Sequence, residues 1–125
     1  MKMWSKGEGE PFRDSPHCAG KLHKTEDAPA DHAMIKITGE YPPEGSWAYN
    51  REVYEIITVL RGLGHVSIRG EGYRTLSEGD VVHIPPNTWF RWGGSNMDIS
   101  RVCVPPFDSE QYEEMSEKDI AEEDI

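Results

Sequence analysis

From Val53 to Val104 the chain repeats one simple unit. A short run of β-branched and apolar residues is followed by glycine, proline or asparagine. Val53–Leu60 is such a run, and Gly62-Leu63-Gly64 turns it into His65–Arg69. Gly70-Glu71-Gly72 leads to Tyr73–Leu76, and Ser77-Glu78-Gly79-Asp80 leads to Val81–Ile84. Pro85-Pro86-Asn87 breaks that strand, Thr88–Trp92 follows, and Gly93–Asn96 turns into Met97–Val104. Short strands with turn residues every 8–12 positions predict an antiparallel sandwich or barrel.

The two ends read differently. Ala33–Thr38 alternates apolar and polar and predicts one more strand, and Gly39–Ser46 is a loop. Met1–Asp31 is polar and irregular, so it is expected to be an arm, flexible or laid along the body as an edge strand. Past Phe107, Asp108 or Ser109 can cap a helix from about Glu110, with Tyr112, Met115 and Ile120 as a thin apolar stripe. The expected division is an arm over 1–31, a barrel over 32–107 and an acidic helix or tail over 108–125.

Composition changes this picture in one respect. The 125 residues carry a net charge of -10, and Leu, Ile, Val and Phe together number only 23. High charge with few aliphatics is the signature of a disordered chain. Both features are local. Residues 108–125 hold nine acids and one base, or -8, which leaves -2 for the rest. Sixteen of the 23 apolar residues fall between Val53 and Val104. The body therefore reads as a near-neutral domain, and the acidic segment as a solvated one.

Several classes of function drop out. No apolar run is long enough for a membrane span, and the N-terminus has no signal-like apolar stretch. No basic stripe invites nucleic acid. Cys18 and Cys103 form no C-x-x-C pair, so a reduced, cytoplasmic setting is expected. His17-Cys18, His23 and His32 match no zinc spacing, Cys103 reads as a small buried hydrophobe, and His83 as a solvent or interface residue.

Two stretches resemble the cupin superfamily, small β-barrels of the double-stranded β-helix or jelly-roll type with a pocket at one end. The first family motif ends in Glu, six residues, Gly, and Glu55 and Gly62 fit it. The second runs Gly, five residues, Pro, any residue, Gly, two residues, His. Gly79, Pro85 and Asn87 match its turn positions, with Asn for Gly. Asn tolerates left-handed backbone, so the exchange is mild. The resemblance spans roughly Ile35 to Val104. It implies an all-β cupin barrel of the small single-domain, type-2-like branch with degenerate metal motifs.

Metal-binding members usually carry His-x-His three or four residues before that Glu. Here those positions are Ala48 and Asn50, or Tyr49 and Arg51, and the histidine of the second motif falls on Phe90. Only Glu55 remains of four ligands, too few for a transition metal. No metal or other cofactor is therefore expected.

Strand parity orders the candidate site. With Glu55 pointing inward, Ile57 and Val59 share its face, and Phe90 brings Trp92 in with it. Trp47, Tyr49 and Asn50 are expected along the approach. Glu55 and Tyr49 are the candidate catalytic groups; Trp47, Asn50, Ile57, Phe90 and Trp92 are the candidate ligand-binding residues. Each has a plainer alternative: Phe90 and Trp92 as core filling, and Glu55 as the structural partner of an arginine such as Arg101.

Three functions remain open. The first is metal-free binding of a small organic ligand, sugar-like or carboxylic. The second is an isomerase, epimerase or lyase with Glu55 as acid and base. The third is an interaction module with the acidic tail on a basic partner. A homodimer paired through an edge strand is expected under all three.

Overall fold

The computed structural model describes residues 1–124. Ile125, the last residue of the expected acidic segment, lies outside the described residues. The strands are β1 (Glu10–Ser15), β2 (Cys18–His23), β3 (Asp31–Ile37), β4 (Glu40–Tyr41), β5 (Ser46–Asn50), β6 (Tyr54–Arg61), β7 (Gly64–Ile68), β8 (Gly72–Leu76), β9 (Val81–Ile84), β10 (Trp89–Gly94), β11 (Met97–Val104) and β12 (Tyr112–Ser116). One short helix, α1 (Glu117–Glu123), follows.

All pairings are antiparallel and form two sheets. The first has the order β1-β2-β3-β11-β6-β9, the second β12-β5-β10-β7-β8, with β4 also on β10. Long crossovers between sheets build a barrel whose interior takes every second residue. Along β6 the parity is strict: Glu55, Ile57 and Val59 are buried while Tyr54, Ile56 and Thr58 are half-buried. Phe90 and Trp92 alternate in the same way with Trp89 and Arg91 on β10. Ile35, Ile37, Ile57, Val59 and Ile99 from one sheet meet Ala48, Val66, Phe90 and Trp92 from the other in one core. Each large aliphatic side chain buried there contributes about 1.5–3 kcal/mol.

The motif turns are held by backbone geometry. Gly62 has φ of +90°, and a Cβ there would run into the Asn96 carbonyl oxygen. Asn87 sits at φ of +65°, the left-handed region that Asn enters more readily than most residues.

Both ends are more ordered than their polarity suggests. β1 and β2 form a hairpin that extends the first sheet beyond β3. Their apolar residues are few because one face is covered and the other faces water. Phe12, Cys18 and Leu22 supply the covered face.

The C-terminal helix does not start at Glu110. Asp108 caps only a 3-10 turn over Ser109–Gln111, its carboxylate accepting from the Glu110 amide. The chain then runs as β12 along the free edge of β5, in register from Tyr112 opposite Asn50 to Ser116 opposite Ser46. An available edge makes a ladder of backbone hydrogen bonds that overrides a weak helical stripe. Ser116 caps α1, its hydroxyl accepting from the Asp119 amide.

The acidic segment is packed rather than merely solvated. Gln111 and Ile120 are buried. Glu113 pairs with Arg51 at 3.2 Å, and Arg69 reaches Glu117 at 3.0 Å and Asp124 at 3.2 Å. No helix among the described residues is long and apolar enough to cross a membrane.

Candidate functional site

The barrel holds a cavity of about 390 Å³. Its inner wall is apolar: Ile35 and Ile37 from β3, Ile57 from β6, Ile99 from β11, and Phe90 and Trp92 from β10. Aromatic residues from the two ends of the chain and from two connecting segments complete it. Phe12 comes from β1, Tyr41 from β4, Phe107 from the segment after β11, and Tyr112 from β12. Phe90 and Trp92 meet edge to face at 6.2 Å and stand on the wall, leaving the space between the sheets open.

The polar groups centre on β11. Arg101 follows Met97 and Ile99 at inward parity and also lines the cavity. Its Nε lies 3.7 Å from Glu55 Oε1, an ion pair without a hydrogen bond. The guanidinium is 6.0 Å from the Phe12 ring centre and 5.8 Å from that of Phe107, within cation–π range. Asp31 Oδ2 accepts from the Phe107 amide at 2.9 Å, which pins the segment carrying that ring. Glu55 and Asp31 are each only 4% exposed, and Glu55 Oε2 and Asp31 Oδ1 have no hydrogen-bond partner. Asp14 and Glu114 are exposed residues that also line the cavity, so they mark its rim.

Burial pushes the Glu55 carboxyl above the usual carboxylate range, against the pull of Arg101 and of the Cys103 thiol 3.9 Å away. Asp31 and Asp14 push it the same way as burial. Asp14 is also raised by burial, with Arg101 opposing. For Arg101, burial works against the charge, but Cys103, Glu55, Asp31 and Asp14 around it outweigh that, and its proton is held more firmly. Burial likewise drives the Cys18 thiol up to about 12 and Cys103 up further, so both are inert thiols at neutral pH. The Tyr41 and Tyr112 hydroxyls hydrogen-bond each other at 3.0 Å, and Tyr112 donates to Glu114 at 3.0 Å. Burial raises both tyrosines, which stay protonated.

The sequence candidates divide accordingly. Glu55, Ile57, Phe90 and Trp92 line the cavity. Trp47, Tyr49 and Asn50 do not, because Ala48 is the residue of β5 that enters the core opposite Phe90. Tyr49 turns away, stacks on Trp89 at 4.5 Å and donates to Asn87 at 2.8 Å. Trp47 is buried with Arg91 4.2 Å over its ring. Asn50 Oδ1 accepts from Gln111 Nε2 at 2.8 Å, while Gln111 Oε1 takes the amides of Glu52 and Val53. That buried clamp fixes the loop before β6 and so sets the height of Glu55. Among the remaining candidates, His83 is exposed and bonded to the Tyr54 hydroxyl at 2.7 Å.

Asp31, Asp14, Phe12, Tyr41, Phe107, Tyr112 and Glu114 escaped the motif reading. Arg101 could have been placed in the cavity by parity, since it alternates with Ile99 and Cys103. The others come from segments whose sequences look irregular or merely acidic.

The residues do not fit the metal that many cupins hold. Ala48 is core, the Asn50 oxygen is taken by Gln111, Arg51 binds Glu113, and Phe90 has no donor. The near neighbour of Glu55 is a guanidinium, itself a cation. Among the described residues no group of three or more His, Cys, Asp or Glu is arranged to hold an ion.

Two antiparallel sheets closed over an end cavity define a small double-stranded β-helix barrel. Residues 38–98 match the model of the Cupin domain, and this stretch of the chain is a cupin domain. No curated protein matches the chain by sequence. Among solved structures it is similar to Pac13 of Streptomyces, a nucleoside dehydratase, with a TM-score of 0.78 at 16% identity over 93% of this chain and 92% of that one. It is similar to the ectoine synthase of P. lautus, with a TM-score of 0.74 at 12% identity over 92% and 90%. It is also similar to KdgF of Halomonas sp., with a TM-score of 0.70 at 18% identity over 88% and 98%. At such identities the likeness is one of fold.

Proposed function

We propose that the protein binds a small organic molecule in the barrel cavity, through its aromatic wall and the Glu55–Arg101 pair, with no metal taking part. One observation carries this reading. An aromatic and aliphatic cavity of about 390 Å³ is lined by Glu55, Asp31 and Arg101, each of which has a buried polar atom with no hydrogen-bond partner in the protein. Ligand sites are typically of this size, with a greasy wall and a few placed polar groups. A buried carboxylate oxygen without a hydrogen bond costs about 1–3 kcal/mol or more, and a ligand donor recovers part of that. The test is a fragment screen followed by NMR. Hits are expected to shift the Trp92 indole and the Ile57 and Ile99 methyl signals, and Ile57→Trp is expected to abolish those shifts by filling the cavity. A screen in which no fragment moves these signals overturns the reading.

A second reading is favoured by the protonation of Glu55. A carboxyl raised by burial, with one oxygen free of hydrogen bonds, holds its proton more firmly than an ordinary carboxylic acid and can deliver and recover it, as an isomerase, epimerase or lyase requires. Tyr49 lies outside the cavity, so this reading rests on Glu55, with the Tyr41 and Tyr112 hydroxyls as the nearby orienting groups. Glu55→Gln is expected to fold and to bind the ligand while losing turnover. Full turnover by that variant rules the role out.

Pairing of two copies through the β1 edge is part of the same proposal. A mass near the 14.2 kDa monomer at every concentration refutes it.

A further inference from the structure

The charge around the cavity is lopsided. Four carboxylates line it, Glu55, Asp31, Asp14 and Glu114, against one guanidinium, Arg101. Arg101 leaves its neighbours' hydrogen bonds unmade. It lies 3.7 Å from Glu55 Oε1 with its own Nε unbonded, and both Glu55 Oε2 and Asp31 Oδ1 are without a partner, two open acceptors to one open donor. Both residues are only 4% exposed and belong to the cavity lining, so a ligand in the cavity lies against these two acids.

The walls add to the same preference. A cation in the cavity meets the rings of Phe90, Trp92, Tyr41 and Tyr112, whose faces attract positive charge. The protein already uses this chemistry once, holding Arg101 near Phe12 and Phe107. A carboxylic or phosphorylated ligand would meet the opposite field. It would have to displace the carboxylates from Arg101 and lie beside them in a poorly solvated space, where like charges repel strongly.

We propose that the cavity selects an organic cation, a molecule with a protonated amine or amidine on a compact apolar or aromatic body. The charged head sits toward Glu55 and Asp31, and the body lies against Phe90 and Trp92. The proposal rests on the binding reading above and narrows it to a ligand class. It also departs from the carboxylic ligand that the sequence allowed, because three of the four acids come from segments outside the cupin motifs.

Three probes with one skeleton test it on the intact protein at neutral pH: 2-phenylethylammonium, 2-phenylethanol and phenylacetate, titrated by calorimetry and by the Trp92 indole signal. The cation is expected to bind at least tenfold more tightly than the alcohol, and phenylacetate not at all. Glu55→Gln and Asp31→Asn are each expected to shrink the cation-to-alcohol ratio several-fold. If the alcohol or phenylacetate binds as tightly as the cation, charge selection is overturned and the binding reading stands. If none of the three binds at millimolar concentration, the cation proposal falls, and the fragment screen decides the binding reading separately.

Discussion

Strand β11 carries two charge clusters of opposite design. On its outer face Asp98 is one acid between two bases. Arg61 donates to it at 2.9 and 2.6 Å, and Lys36 lies at 3.1 Å. On its inner face, three residues along, Arg101 is one base among Glu55, Asp31 and Asp14. Outside, direct hydrogen bonds are made. The bonds from Arg61 and Lys36 overcome partial burial and hold the Asp98 carboxyl below its ordinary range. Inside, the ion pair is long, two carboxylate oxygens are unbonded, and burial holds Glu55 above its range. The outer cluster is satisfied by the protein itself. The inner one is left incomplete beside the cavity that Glu55, Asp31 and Arg101 line.

The comparison can be broken most directly by removing the inner base. Arg101→Met leaves Glu55 buried without compensation and is expected to cost about 3–5 kcal/mol in urea unfolding at neutral pH. A loss under 1 kcal/mol would mean that Glu55 takes up a proton once Arg101 is gone, or that another group already compensates it. The double variant Glu55→Gln with Arg101→Met sharpens the point. Replacing both members of a buried pair is often neutral or stabilising, so the double variant is expected to regain most of that loss, within about 1–2 kcal/mol of the parent.

The pH dependence follows from the raised Glu55. Its folded pKa lies above the ordinary 4.5, so the folded state favours the protonated form. Its contribution is fully present below 4.5 and is lost as pH rises through the folded pKa. The stability of the parent relative to Glu55→Gln is therefore expected to fall from pH 4 upward and then level off. A difference that stays flat with pH would mean that Glu55 is not raised. Asp98 runs the other way, its contribution being lost as pH falls through its lowered pKa.

The smallest effect belongs to the outer cluster. Asp98→Asn is expected to cost about 0.2–1 kcal/mol for each exposed pair it breaks, less at high salt. It is expected to leave the affinity for 2-phenylethylammonium unchanged. A large loss of that affinity would make the two faces of β11 one coupled network.

The central part of this division was legible in the sequence. Alternation fixed Glu55, Ile57 and Val59 on one face of β6, and Phe90 and Trp92 on one face of β10, because the side-chain period of a strand admits only two choices. Tyr49 and Trp47 are expected near the site from their place ahead of Glu55 in the first motif, and not from alternation. They stand near Glu55 in the chain, but Ala48 holds the inward place on β5. Asn50 was singled out as a binding residue and instead locks Gln111. Its partner lies 61 positions away, and no local pattern marks it.

The sequence by itself determined the β-rich body, its turns, the cupin motifs and the inward acid. These depend on period-two patterning and on residues such as Gly62 and Asn87 that permit one backbone turn, all of which are local properties. Only the tertiary structure decided the use of the polar ends. β1 brings Phe12 and Asp14 to the rim, and β12 brings Tyr112 and Glu114, because two sheet edges were open to receive them. An edge accepts almost any sequence through its backbone groups, so side-chain pattern carries little record of it. The net charge of -10, which the sequence confines to residues 108–125 for the most part, thereby reaches the cavity through Glu114.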